Sequence, residues 1–274
     1  MQILNRTYHN FINFYFSTIK TELKGRLPDF IILGTQKGGT TSLYNYLINH
    51  SKISGGSRRE IHFFDKYYEK GVHLYKNNFL NSNENILTCE CSPDYIHHPL
   101  IAKRIKNILP KSKLIILLRD PVERAISNYK HNIYIGKYKK NMTIEEIIDK
   151  EKIYIKKEKN KINLKRTYYS RKFKYYSLLD RGIYHKQIKR YFNLFNKNQI
   201  HIIFSEKLFF NTQEELKKVF EFLKLNNENV PCTKIYNKSK IDYEVNKTTR
   251  NKLENFFLPH NKKLYRTLNS KFRW

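Results

Sequence analysis

An apolar stretch of strand length, Asp29-Phe-Ile-Ile-Leu33, runs without a break into Gly34-Thr-Gln-Lys-Gly-Gly-Thr-Thr-Ser42. Leu43, Tyr44, Leu47 and Ile48 then recur at helical spacing. Strand, glycine-rich turn and helix in that order open a nucleotide-type α/β unit, since the turn offers backbone N–H groups and a helix N-terminus to an anion. The alternation continues down the chain. A short strand over Ile86–Cys89 and a helix from Pro99 to Leu109 precede Lys113-Leu-Ile-Ile-Leu-Leu118, which reads as a buried parallel strand. It ends at Arg119-Asp-Pro121, where Pro121 suits a first helical turn. The following helix carries Val122, Ala125, Ile126, Tyr129 and Ile133 on one face.

Farther on, Tyr184, Ile188, Tyr191, Phe192 and Phe195 form a helical stripe before the strand Ile200–Phe204. Thr212 with Glu215 reads as a capping box, and the tail holds helical stretches around Leu253–Phe257 and Lys263–Leu268. Strands alternating with helices, with no internal repeat or linker, predict one three-layer α/β domain over residues 1–274, its central parallel sheet flanked by helices. Residues 1–28 read as an N-terminal arm. The stretch 137–176 is a Lys/Tyr-rich insertion, with 14 Lys/Arg against 5 Asp/Glu between Lys137 and Lys174. It opens with a helix-like stretch over Thr143–Lys150 and is expected to be either a solvated insertion or a wall of a substrate cleft.

Charge narrows the partners. Lys and Arg total 53 against 24 acids, a net +29 that attracts polyanions. However, 39 of the 53 are Lys, alongside abundant Asn and Ile, so AT-rich codon usage on a solvated surface is the alternative source of the charge. No DNA-binding motif is visible, and nucleic acid is not the expected partner. Three cysteines make no disulfide framework and suit a cytoplasmic chain, with a membrane-peripheral placement as the alternative. No apolar run exceeds the five residues Leu114–Leu118, so no transmembrane span is expected. Cys89-x-Cys91 before His97 and His98 matches no standard zinc spacing, and strand alternation explains the pair; no metal is expected.

The loop itself excludes one reaction class. Gly34-x4-Gly39 has Walker-A glycine spacing, yet the position after Gly39 is Thr40 and the lysine lies inside the turn, at Lys37. An NTP-dependent kinase is thereby disfavoured.

This loop resembles the 5′-phosphosulfate loop of sulfotransferases that use 3′-phosphoadenosine 5′-phosphosulfate (PAPS). Leu118-Arg-Asp-Pro-Val-Glu-Arg-Ala-Ile-Ser127, then Tyr129, resembles their 3′-phosphate motif. Arg59-Glu-Ile-His-Phe-Phe-Asp65 and Glu90-Cys-Ser-Pro93 with Tyr95 resemble segments of the heparan sulfate branch, and the ending from Pro259 to Trp274 fits the family's C-terminus. The resemblance spans roughly residues 28–274. It implies a P-loop-type fold, PAPS as donor, adenosine 3′,5′-bisphosphate as product, and a carbohydrate or other hydroxyl-bearing acceptor, acidic or neutral.

The same resemblance assigns roles. Lys37 neutralises the leaving phosphate, and Thr35, Gln36, Gly38, Gly39, Thr40, Thr41 and Ser42 hold it. Arg119 and Ser127, eight residues apart, grip the 3′-phosphate. Glu60 is the base that takes the acceptor proton; His62, on the same side of an extended segment, orients it, and Asp65 supports either. Arg58, Arg59, Tyr95 and Tyr184 are expected to meet the acceptor. There are departures. Cys91 stands where the branch usually has a lysine, and the family's cofactor-closing loop has no counterpart, leaving Lys238, Lys240 or Lys247 near its place.

Overall fold

The computed structural model describes residues 25–80, 83–232, 241, 244–270 and 272–274. Most of the expected N-terminal arm, and both Lys238 and Lys240, lie outside these residues.

Five parallel strands form the sheet: β1 (Phe30–Gly34), β2 (Ile53–Gly55), β3 (Leu87–Cys91), β4 (Lys113–Leu118) and β5 (Ile200–Phe204). Their spatial order is β2-β3-β1-β4-β5. The central strands are apolar on both faces because helices cover both: β1 and residues 114–118 of β4 are wholly buried. Helix α1 (Thr40–Leu47) follows β1, α2 (Val72–Lys76) and α3 (Ile101–Ile108) flank β3, and α4 (Pro121–Tyr134) follows β4. On one face Ile31, Leu33, Leu114 and Ile116 pack with Ile101, Ile105, Ile188 and Tyr191. On the other, Ile32, Cys89, Cys91, Ile115 and Leu117 pack with Leu43, Leu47, Val219 and Phe220. The predicted alternation of β3 is therefore real: both thiols face one layer and Glu90 faces the other.

The 137–176 stretch departs from expectation. Instead of a short helix, α5 runs over Ile144–Leu164 and is followed by α6 (Arg171–Tyr175). A capping box starts α5, Thr143 Oγ1 accepting from Glu146 N and Glu146 Oε2 accepting from Thr143 N. Periodicity was hidden because the inward face mixes Ile147, Ile155 and Ile162 with carboxylates. Glu151 accepts from the N–H groups of Leu179 and Asp180, both at 2.7 Å, and Glu158 accepts from Ser170 and Tyr168. Glu151 and Glu158 point in, while Glu146, Asp149 and most lysines stay exposed, so the insertion packs as part of the body.

Two further corrections concern the C-terminal half. Past α7 (Tyr184–Phe192) and the short α8 (Ser205–Phe210), α9 (Thr212–Leu223) begins without the Thr212 capping box; Glu215 instead reaches Lys218 at 2.8 Å. The two stretches of the tail are one helix, α10 (Lys247–Leu268), capped by Asn246 Oδ1 on Thr249 N and continuous through Pro259. Among the described residues no helix is long and apolar enough to cross a membrane.

Candidate active site

Because β1 and β4 are neighbours, the turns leaving their carboxyl ends meet, and a cleft of about 770 Å³ opens there. Open α/β sheets place ligands at this edge. In the first turn Lys37 has φ 68° and Gly39 φ 89°, left-handed values. A Cβ on Gly39 would stand 2.7 Å from the Phe209 ring, so glycine is required for close packing as well as for the turn. Thr35 N donates to Leu117 O and Gly38 N to Thr35 O, both 2.9 Å. Ser205 Oγ lies 2.6 Å from Gly38 O and 3.0 Å from Leu118 O, tying the turn to β4.

Gln36, Lys37, Gly39, Thr40 and Thr41 line the cleft. Thr35, Gly38 and Ser42 do not: Thr35 and Ser42 are buried behind it, and the Gly38 N–H is spent within the turn. Thr35 Oγ1 is buried without a hydrogen-bond partner. Asn128 Nδ2 donates to Gln36 Oε1 at 2.9 Å, linking the turn to α4.

Arg119 and Ser127 also line the cleft. Arg119 Nη1 donates to Lys37 O at 3.1 Å, and its Nη2 is 4.0 Å from Glu123 Oε2. Burial, then the neighbouring Arg119 charge, lowers the Lys37 pKa. Behind Arg119, Asp120 Oδ1 caps α4 by accepting from Val122 N at 2.7 Å. Glu206 accepts from Asp120 N at 2.8 Å and from Trp274 Nε1 at 3.0 Å, so the C-terminal tryptophan braces this turn.

At the other end, Glu60 and Arg59 line the cleft. His62 does not extend the segment as expected. It has φ 56° and starts a turn over Phe63–Tyr67. The fold back still brings His62 Nε2 to 3.3 Å from Glu60 Oε2 and its Nδ1 to 2.9 Å from Asp65 Oδ2. Burial opposes the imidazolium, but the hydrogen bonds to Asp65 and Glu60 push the His62 pKa up to about 9. Burial likewise opposes Glu60 ionisation, and the His62 hydrogen bond and charge, with Arg59, outweigh it; the carboxyl lies below its usual range. The pair rests as carboxylate and imidazolium near neutral pH.

Two assignments to the acceptor are corrected, and a third residue stands apart from the cleft. Tyr95 is fully buried, donating to Glu90 Oε1 at 2.6 Å and accepting from Phe64 N at 3.2 Å. Tyr184 is buried and donates to Arg119 O at 2.9 Å. Arg58 donates to Ile61 O, sits over the Tyr67 ring and does not line the cleft. Tyrosine and arginine at such positions look like ligand contacts in a sequence; burial turns two into braces.

Glu90, between the buried cysteines, is the hub of the acceptor end. Ser92, Tyr75 and Tyr95 hydroxyls each donate to its carboxylate at 2.6 Å. Ser92 Oγ in turn accepts from His62 N at 3.2 Å. Cys91 is sealed in the other layer, its Sγ 3.7 Å from Thr40 O, and presents nothing to the cleft.

Sequence reasoning missed several lining residues: Asp94, His131, Lys174, Tyr175, Glu206 and Phe209. Only Lys174 and Tyr175 had a signal, as members of the basic insertion. The nearest metal-like group, His62, Asp65 and Asp94, has ligand atoms within 4.8 Å of one another. Lys174 and Arg181 occupy Asp94 at 3.0 and 2.8 Å and His62 pairs with Asp65, so a cation would have to displace three positive partners and the group does not suit one.

Comparison with known proteins bears on this geometry. A family model described as "Sulfotransferase domain" matches residues 27–264. The chain is 30% identical to the membrane-associated sulfotransferase kil1 of Dictyostelium discoideum, over 90% of this chain and 66% of that one. It is 30% identical to heparan sulfate glucosamine 3-O-sulfotransferase 5 of Homo sapiens, over 92% of this chain and 75% of that one. A sulfotransferase from Alicyclobacillus acidocaldarius has a similar crystal structure, with a TM-score of 0.70 at 26% identity over 90% of this chain and 98% of that one.

Proposed function

The chain belongs to the sulfotransferase domain family, and from that premise we propose that it moves a sulfuryl group from PAPS to a hydroxyl of a carbohydrate acceptor, an amine being the alternative nucleophile. Two cations on adjoining turns, Lys37 after β1 and Arg119 after β4, carry the donor side of this reading. Lys37 forms no ion pair among the described residues; Arg119 holds its backbone, and burial followed by the Arg119 charge lowers its pKa. Such repulsion is relieved by an anion, and a bisphosphate with two phosphates suits a cleft with one cation from each turn. The orphaned Thr35 hydroxyl lies in the same turn.

Bound PAPS would supply an activated sulfuryl group whose leaving group is a phosphate. Lys37, with the N-terminus of α1, would offset charge growing on that phosphate. Arg119 and Ser127 would hold the 3′-phosphate. Glu60, ionised and in the cleft wall, would take the acceptor's proton as the new O–S bond forms and the sulfur–phosphate oxygen bond breaks. His62 fixes the Glu60 carboxylate and is fixed by Asp65. The carbohydrate acceptor rests on the names of the heparan sulfate relatives together with the Arg59–Glu60 wall.

A melting experiment tests the donor assignment. Adenosine 3′,5′-bisphosphate is expected to raise the melting temperature and ATP to leave it nearly unchanged. Stabilisation by ATP alone, or no sulfuryl transfer from PAPS to any of a panel of glycans, overturns the proposal.

A further inference from the structure

The acceptor end of the cleft holds a cation that neutrality does not require. Asp94 Oδ1 meets Arg181 Nη1 at 2.8 Å and its Oδ2 meets Lys174 Nζ at 3.0 Å. Arg181 is buried and held by Ser177 Oγ at 3.0 Å and Lys174 O at 3.2 Å, so it is the structural counterion of the buried carboxylate. Lys174 is the surplus. Its side chain is 17% exposed and lines the cleft with Glu60, Arg59 and Asp94. An ammonium has three donors, and Asp94 uses one. The neighbouring acids are already matched: Glu60 by Arg59 and His62, and Asp65 by His62.

We propose, resting on the sulfotransferase reading above, that Lys174 is the specificity residue that binds an anionic substituent of the acceptor, a carboxylate or a sulfate, so that a neighbouring hydroxyl meets Glu60. Asp94 positions the Lys174 ammonium, and α6 delivers it from the basic insertion. A neutral saccharide would leave the surplus charge unanswered.

Isothermal titration on the full chain saturated with adenosine 3′,5′-bisphosphate tests this with three hexasaccharides. One alternates glucuronate and N-acetylglucosamine, the second is its carboxyl-reduced form, and the third is carboxyl-reduced but sulfated. The wild type is expected to bind at least one anionic chain about ten- to a hundredfold more tightly than the neutral one, the range of one charge-assisted contact. The two anionic arms tell carboxylate from sulfate. Lys174→Met should collapse that ratio towards one while leaving affinity for the neutral chain and for the bisphosphate unchanged, and Lys174→Arg should restore most of it. A lysine that only braced the fold would not change the ratio between chains. If Lys174→Met does not fold, Lys174→Gln, which keeps a donor for Asp94, carries the same comparison. No preference in the wild type, or a preference that survives Lys174→Met, overturns the proposal. Bisphosphate binding by the wild type tests the donor reading separately: its absence overturns that reading, and the saccharide ratio is then measured without it.

Discussion

Arg119 Nη1 donates to the carbonyl oxygen of Lys37 at 3.1 Å, joining two turns that lie 82 positions apart in sequence. The bond sets the spacing of the two cations and fixes the left-handed backbone at Lys37. Arg119 → Ala should therefore weaken adenosine 3′,5′-bisphosphate binding about ten- to a hundredfold, by loss of a charge-assisted contact. Lys37→Ala should abolish turnover with the melting temperature nearly unchanged. Wild-type-like transfer by both variants contradicts the assignment.

Glu60 is ionised and exposed to the cleft, so its removal should act on the rate. Glu60→Gln is expected to cut kcat about 10²–10⁴-fold, the usual cost of a lost general base, with bisphosphate affinity unaltered. Retention of more than about half the activity would place the base elsewhere.

The His62 pKa of about 9 lies above its ordinary 6.5. The folded state thus holds the proton more tightly than the unfolded one. The stability this contributes is full below pH 6.5 and disappears as pH rises through about 9. The difference in melting temperature between wild type and His62→Gln should shrink across that window. The rate should change over the same alkaline range, as Glu60 loses its cationic partner. A difference that is flat from pH 6 to 10 counts against the ion pair.

Tyr95 joins the Glu90 hub to Phe64 N and touches no part of the cleft. Tyr95→Phe leaves a buried carboxylate one donor short and should cost about 1–3 kcal/mol in chemical denaturation. Acceptor kinetics should suffer only as far as the Glu60–Asp65 turn loosens. Loss of acceptor binding without loss of stability would return Tyr95 to the acceptor.

Asp94 is taken by two cations and His62 by a proton, so no described carboxylate–histidine group is ready for a divalent ion. Turnover should survive EDTA. Complete loss, restored by a divalent cation, would contradict this.

What the sequence by itself determined were the features written in local patterns. β4 and β5 have the predicted bounds, since a run of apolar residues bordered by polar ones has few alternatives to a buried strand. The lysine inside the Gly34–Ser42 loop, the Arg119-Asp-Pro turn and the Glu60–His62 pair were legible because their spacing follows from a strand-to-helix junction or from near neighbours in the chain. The tertiary structure decided the rest. Whether Tyr95 and Tyr184 meet a ligand depends on which layer covers them, and long-range packing buries both. Helix α5 was obscured because its inward carboxylates find partners only across the fold, at Leu179, Asp180 and Ser170. The short strand β2 exists through its pairing with β3, from Ile53 against Leu87 to Gly55 against Cys89. Lys174 was one lysine among many until Asp94 and Arg181, far from it or hidden behind it, fixed its charge at the cleft. A side chain's charge is written in the sequence. What answers that charge is set by neighbours that only the folded chain brings within a few ångströms.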